Sequence, residues 1–306
     1  MDVLVTGSSG FIGSALLGAL AADGHRPIRA LRGRDVPKGV DAISWDPDAG
    51  TIDAGALEGI GAVVHLAGAG IGDARWTDAR KRLILESRTI PTRLLATTLA
   101  GLAKPPAVLV SASAIGYYGD RGDESLTEDS APGTDFAADV AVQWEAAAQP
   151  AADAGIRVAT IRTGIVLGPG GGVLGKLLVP FKLGLGGRVG DGRQYMSWIS
   201  LPDEVGAIRH VLRTDSLMGA VNLTAPNPVT NAELASTLGK VLHRPTVLPT
   251  PVLPLKARFG TELVQSLLLG GQRVLPKRLE ASGFEFAHPT LEGALRAVLD
   301  RPAEAA

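Results

Sequence analysis

The chain has no cysteine, no surplus of charge of either sign and no long apolar run, and each absence removes a class of function. Without cysteine there are no disulfides, no thiolate metal sites and no cysteine nucleophile. Lysine and arginine number 30 against 31 aspartates and glutamates, a formal charge of −1, and no stretch is dominated by one sign. That is not the electrostatic footprint of a nucleic-acid binder, and small polar ligands fit it better than polyanions. No apolar run approaches the ~18 residues of a spanning helix. The first apolar stretch carries Asp2 and is broken by glycines, unlike a signal peptide. The expectation is a cytoplasmic chain with no membrane partner. The five histidines, His25, His65, His210, His243 and His288, do not fall at ligand-like spacings and are expected at surface or packing positions, with no metal.

What is present suits a large α/β protein. With 306 residues, 45% of them hydrophobic, the chain can build one large or two small cores and bury roughly three quarters of its unfolded surface. The amino-terminal half alternates short β-branched runs with longer amphipathic stretches, predicting strands at 3–5, 27–31, 42–45, 62–66, 108–111 and 157–162 and helices at 11–23, 77–101 and 136–153. Strands this uniformly apolar are covered on both faces, which predicts a Rossmann-type, doubly wound parallel sheet with a smaller carboxy-terminal α/β substrate region. The division expected is a dinucleotide-binding domain over 1–168 that borrows strands from about 195–225, substrate segments over 169–248, and a helical domain over 249–300. Glycines crowd 168–172 and 184–192, where loops bend sharply or approach a ligand. Further on, 197–200 reads as a strand, 203–213 as a helix opened by Asp203, 231–242 as a helix, and the leucine run 263–269 as a buried helix.

One motif carries chemistry directly. The strand Val3-Leu4-Val5-Thr6 runs into Gly7-Ser8-Ser9-Gly10-Phe11-Ile12-Gly13, and a helix follows. Gly7 permits the tight turn, Gly10 lets the backbone approach a pyrophosphate and Gly13 lets the helix pack near the sheet. The phosphates of a dinucleotide would sit on the free N–H groups and positive end of that helix. The second strand ends at Arg32, followed by Arg34, where an NAD site places an acid against the ribose 2′-hydroxyl. An arginine pairs with a 2′-phosphate, so NADP(H) is favoured over NAD(H). The alternative is a solvated Arg32, with Asp35 filling the acidic role. Asp46 is read either as a contact to the adenine amino group or as a turn former before Pro47.

The segments Thr6-Gly7-Ser8-Ser9-Gly10-Phe11-Ile12-Gly13, His65-Leu66-Ala67-Gly68 and Ser111-Ala112-Ser113-Ala114-Ile115-Gly116-Tyr117-Tyr118-Gly119 resemble the extended short-chain dehydrogenase/reductases, which include sugar-nucleotide epimerases and dehydratases. A narrower resemblance, to an "epimerase family" subgroup ending in a carboxy-terminal domain of unknown function, rests on Arg162-Thr163-Gly164-Ile165-Val166-Leu167-Gly168, Ser197-Trp198-Ile199, the segment 222–230 and the segment 270–278. The resemblance implies a bound nicotinamide dinucleotide, with Leu66, Ala67 and Gly68 beside it and a serine, Ser113 or else Ser111, orienting the reacting oxygen. Gly164, Ile165 and Val166 follow the sixth strand, where their backbone either meets the carboxamide or simply leaves the sheet.

The superfamily also places a Tyr-x-x-x-Lys pair on the following helix, the lysine lowering the tyrosine pKa so that a phenol can move a proton. Here that helix has neither residue, and aligning Glu145 with the acid usual there puts Ala137 and Ala141 in their places. Three accounts stay open. Tyr117 or Tyr118 supplies the proton beside Ser113; a later group such as Lys176, Arg193 or Asp120 does; or the protein binds NADP(H) without turnover, as a regulatory or redox-sensing protein. In the first two it is an oxidoreductase or epimerase acting on a small polar substrate, for which the resemblance offers a nucleotide-linked sugar. Loop residues Lys176, Arg188, Arg193 and Gln194, and the basic segment 272–278, either clamp a substrate anion or are solvated. Relatives that dimerise do so through two long helices, here 77–101 and 136–153, which makes a homodimer possible.

Overall fold

The structure is a computed structural model that describes residues 1–33, 36 and 39–300. Arg34 and Asp35, named above beside the second strand, lie outside the described residues. The first half runs β1 (Asp2–Thr6), α1 (Phe11–Ala22), β2 (Arg26–Arg32), β3 (Ala42–Asp46), β4 (Thr51–Ile52), β5 (Ala62–His65), α2 (Asp78–Ala100) and β6 (Val108–Ala114). It continues through β7 (Ser125–Leu126), α3 (Phe136–Ala147), α4 (Gln149–Asp153), β8 (Arg157–Thr163), β9 (Ile165–Leu167) and α5 (Gly172–Lys182). The remainder comprises β10 (Tyr195–Met196), β11 (Trp198–Ser200), α6 (Leu201–Arg213), β12 (Gly219–Leu223), β13 (Val229–Thr230), α7 (Asn231–Leu242), α8 (Val252–Phe259), α9 (Thr261–Val264), β14 (Arg273–Val274), α10 (Lys277–Ala281) and α11 (Leu291–Val298).

Eight strands form one sheet in the order β12-β8-β6-β5-β1-β2-β3-β4. All neighbours are parallel except the β3–β4 edge pair. Side chains alternate between the faces of a strand, so β1 feeds two cores. Val3 and Val5 pack with Leu16 and Leu20 of α1 and Ile208 and Val211 of α6. Leu4, between them, packs with Leu95 and Leu99 of α2 on the opposite face. Both faces are covered by helices, which is the Rossmann-type, doubly wound arrangement expected from the apolar strands. The strand order reverses between β1 and β5, and the crevice at their carboxyl ends is where such sheets hold ligands.

Three local expectations are corrected. The helix expected over 136–153 is two, because Ala148 closes α3 and Pro150 lies in the first turn of α4. The helix expected to open at Asp203 opens at Leu201, capped by Ser200, whose Oγ accepts from the Asp203 N–H at 3.1 Å. The Asp203 carboxylate instead accepts from the Ala287 and His288 amides at 2.7 and 3.0 Å, tying that segment to the start of α6. The leucine run is the short α9 followed by a π-helical turn over Gln265–Leu269, in which no residue is fully buried.

Candidate functional site

The glycine turn is built as its residues require. Gly7 has φ +64°, and a Cβ there would come within 2.8 Å of the Leu66 backbone at the end of β5. A Cβ on Gly13 would collide with the Gly7 carbonyl, so the start of α1 closes directly onto the turn. The Gly10 amide donates to the Gly7 carbonyl at 2.9 Å, and Gly10 caps α1 with no side-chain hydrogen bond. The amides of Phe11, Ile12 and Gly13 therefore open the helix without a side-chain acceptor, the condition for an anion site. Ser9 is exposed beside them. The Phe11 ring turns away to pack on the second glycine cluster, where Cβ atoms at Gly168 and Gly171 would meet it at 2.8 and 2.5 Å.

Arg32 ends β2 exposed, with no hydrogen bond or ion pair among the described residues, so its guanidinium is unspent. Beneath this edge His65 is fully buried, its Nδ1 2.7 Å from Thr6 Oγ1 and its Nε2 2.9 Å from Thr92 Oγ1. Burial, reinforced by the Arg32 charge, lowers its pKa to about 4, so it is a neutral packing histidine. Among the described residues no group of His, Asp and Glu is placed to hold a metal. Asp46 is exposed, and its Oδ1 accepts from the Asp48 and Ala49 amides at 3.1 Å each, the turn-forming role.

A cavity of about 200 Å³ opens at the carboxyl ends of β6 and β8. Ala114, Thr163, Gly164 and Ile165 line it from the sheet, and Ala137 and Ala141 line it from α3. The positions of the absent tyrosine and lysine thus form one wall. Arg88, Trp144, Tyr195, Ser266 and Gln272 are polar residues of its lining, beside Thr163. The segment after β5 lies between the glycine turn and the cavity residue Arg88. A Cβ on Gly7 would meet Leu66 and Ala67, and one on Gly68 would come within 3.4 Å of the Arg88 side chain. Val166 is buried behind Ile165 and does not line the cavity.

Ser113 and Tyr117 belong to a different construction and are not among the lining residues. The Ser113 hydroxyl donates to Glu145 Oε1 at 2.7 Å, and Arg162 clasps the same carboxylate through two bonds of 2.8 and 2.9 Å. The guanidinium lies 3.4 Å from the Tyr117 ring centroid and donates to the Tyr118 hydroxyl at 3.0 Å. Tyr118 in turn donates to Asn222 at 2.6 Å, and burial raises its pKa to about 12. Ser111 is buried with its hydroxyl unbonded among the described residues. The later candidates sit elsewhere. Lys176 pairs with Asp73 at 3.3 Å on the surface, Arg193 is exposed, and Asp120 accepts from two loop amides. Arg188 donates to the Asp191 carbonyl, Gln194 to the carbonyls of Val189 and Leu268, and Arg278 to those of Met218 and Ala220.

Two cavity groups, Arg88 and Thr163, and the glutamate bonded to the second escaped sequence reasoning. Thr163 donates to Glu204 Oε1 at 2.9 Å. Glu204 is fully buried, its Oε2 has no partner among the described residues, and burial raises its pKa to about 8. Arg88 and Glu204 were readable as surface charges on helices. Their signal was their spacing: Arg88 falls on the buried series Ile84, Arg88, Thr92, Leu95, and Glu204 on the series Glu204, Ile208, Val211.

Residues 3–223 match the NAD dependent epimerase/dehydratase family, and residues 250–298 match a domain of unknown function, DUF1731. An epimerase family protein of Mycobacterium bovis is 44% identical over 300 residues, covering 98% of each chain. The human epimerase family protein SDR39U1 is 37% identical over 302 residues, covering 98% of this chain and all of that one. Its crystal structure with NADPH superposes with a TM-score of 0.91 at 35% identity, over 99% of this chain and 100% of that chain. The chain belongs to the NAD dependent epimerase/dehydratase family.

Proposed function

We propose that the chain is an NADP(H)-dependent oxidoreductase or epimerase acting on a small substrate in the cavity between β6, β8 and α3. The observation carrying this reading is the cavity itself, on the same carboxyl edge of the sheet as an uncapped helix start that suits a pyrophosphate. Gly7, Ser9, Gly10, Ile12 and Gly13 would hold the phosphates, Arg32 the 2′-phosphate, Ala67 and Gly68 the nicotinamide ribose, and Gly164 and Ile165 the carboxamide. The human relative solved with NADPH supports that choice of nucleotide. When bound, NADPH supplies a hydride. The proton would come from the protonated Glu204 carboxyl near neutral pH by way of Thr163, which lines the cavity: the hydrogen bond between them reverses, Thr163 Oγ1 takes the Glu204 proton as it gives its own to the substrate, and Glu204 is left as the carboxylate. Ser113 and Tyr117 then act as positioning residues, through the Glu145–Arg162 pair, and do not touch substrate. The same reading includes a homodimer through α2 and α3, supported by the exposed apolar side chains Leu83, Ile90 and Val142.

A second reading, nucleotide binding without turnover in a regulatory or redox-sensing role, is favoured by the apolar wall of Ala137, Val140 and Ala141. Stopped-flow absorbance of bound NADPH with a panel of small carbonyl compounds decides between them. Substrate-dependent oxidation that falls at least about tenfold in Thr163→Val supports the enzyme. Tight NADPH binding with no oxidation by any compound supports the second reading.

A further inference from the structure

Arg88 is the one charged side chain among the residues lining the cavity. It is 9% exposed, and among the described residues it has no carboxylate partner. Its protein contacts are a hydrogen bond from Nη1 to the Ile84 carbonyl at 3.0 Å and the Trp144 ring, 4.9 Å from the guanidinium carbon. A guanidinium carries five N–H donors, so most of its hydrogen-bonding capacity is unanswered. Burying a cation without a counter-charge is costly, and burial does lower the Arg88 pKa, to about 10, which leaves it charged at neutral pH.

The position is also held rigidly. Trp144 Nε1 donates to Thr92 Oγ1 at 3.0 Å, Thr92 donates to the Arg88 carbonyl at 2.6 Å, and the same hydroxyl lies 2.9 Å from His65 Nε2. A fixed, desolvated guanidinium in an otherwise uncharged cavity is a built receptor for an anion.

We propose that Arg88 anchors the anionic head of the substrate, and that the substrate class is a small carboxylate with an apolar body, such as an oxo acid or the corresponding hydroxy acid. The planar fork of the guanidinium matches a carboxylate through two parallel bonds. Around it, Ile71, Ala137, Val140, Ala141, Ile165 and Leu267 offer apolar surface for the body of the molecule. This inference rests on the cofactor reading for the side from which the substrate meets the nicotinamide. The positive charge that α3 lacks at Ala141 enters the same cavity from α2.

The test is calorimetric titration of the NADPH-saturated chain with benzoate, with its uncharged counterpart benzamide and with inorganic phosphate, on wild type, Arg88→Gln and Arg88→Lys. Benzoate is expected to bind at least about tenfold more tightly than benzamide, Arg88→Gln to erase that difference and Arg88→Lys to keep part of it. NADPH affinity is expected to stay within about twofold across the three proteins. Equal binding of benzoate and benzamide, or no binding of either, overturns the proposal, and phosphate competing as well as benzoate overturns the choice of carboxylate. A tenfold loss of NADPH affinity in Arg88→Gln reassigns the residue to the cofactor and also overturns it. If wild type does not bind NADPH, the cofactor reading fails, while the benzoate comparison without nucleotide still decides Arg88.

Discussion

Glu204 and His65 are buried titratable groups whose effects on stability run in opposite directions. Glu204 has its pKa raised from 4.5 to about 8, so between those values the folded chain keeps a proton that the unfolded chain has released, and stability falls as pH rises. His65 has its pKa lowered from 6.5 to about 4, so in that interval the unfolded chain holds the extra proton, and stability rises with pH. The two offset each other below pH 6.5, and from there to pH 8 the Glu204 contribution stands without that offset. Wild type is expected to lose up to about 2 kcal/mol across that window, at about 1.4 kcal/mol per pH unit, and Glu204→Gln to lose much less. Chemical denaturation at closely spaced pH values measures this, and parallel curves would contradict the assignment. Tyr118→Phe strands Asn222 Oδ1 and one Arg162 donor in the interior, so its denaturation midpoint is expected to fall by the equivalent of roughly 1–3 kcal/mol. An unchanged midpoint would mean that the hydroxyl bonds contribute nothing net. At this scale the glycine turn was legible, because Gly7 and Gly13 have geometries that no other residue meets without strain. Arg88 and Glu204 were not, because their importance comes from burial, and sequence shows burial of a charged residue through helical spacing alone.

At the scale of elements, the strands and long helices followed from apolar runs and 3.6-residue periodicity, while their ends did not. The break between α3 and α4 depended on Pro150, and the start of α6 on Ser200, three residues ahead of the aspartate that looks like a cap. The π-helical turn after α9 lies beside the cavity, where Leu267 is a lining residue, and leucine-rich sequence does not distinguish it from an α-helix. The helices α2 and α3 also carry the dimer proposal. Leu83 and Ile90, seven residues apart and so on one face of α2, are 48% and 45% exposed, and Val142 on α3 is 38% exposed. Sedimentation equilibrium of wild type is expected to give a dimer, and the pair Leu83→Glu with Ile90→Glu a folded monomer. A monomeric wild type at micromolar concentration would refute the dimer.

For the whole molecule, the sheet order places the carboxyl ends of β1, β5, β6 and β8 along one edge, which carries the uncapped start of α1, Gly68 and the cavity. Sequence could reach the first of these because its motif is contiguous in the chain. The cavity was out of reach, being assembled from α2, α3, the exits of β6 and β8, and the segment 266–272, which meet only in the fold. The central claim is that this site takes a dinucleotide bearing a 2′-phosphate, and calorimetric titration with NADPH and NADH of wild type and Arg32→Asp tests it most directly. NADPH is expected to bind wild type at least about tenfold more tightly than NADH, with Arg32→Asp erasing the preference. Equal affinities in wild type would contradict the role given to Arg32, and failure of both nucleotides to bind would contradict the dinucleotide site itself.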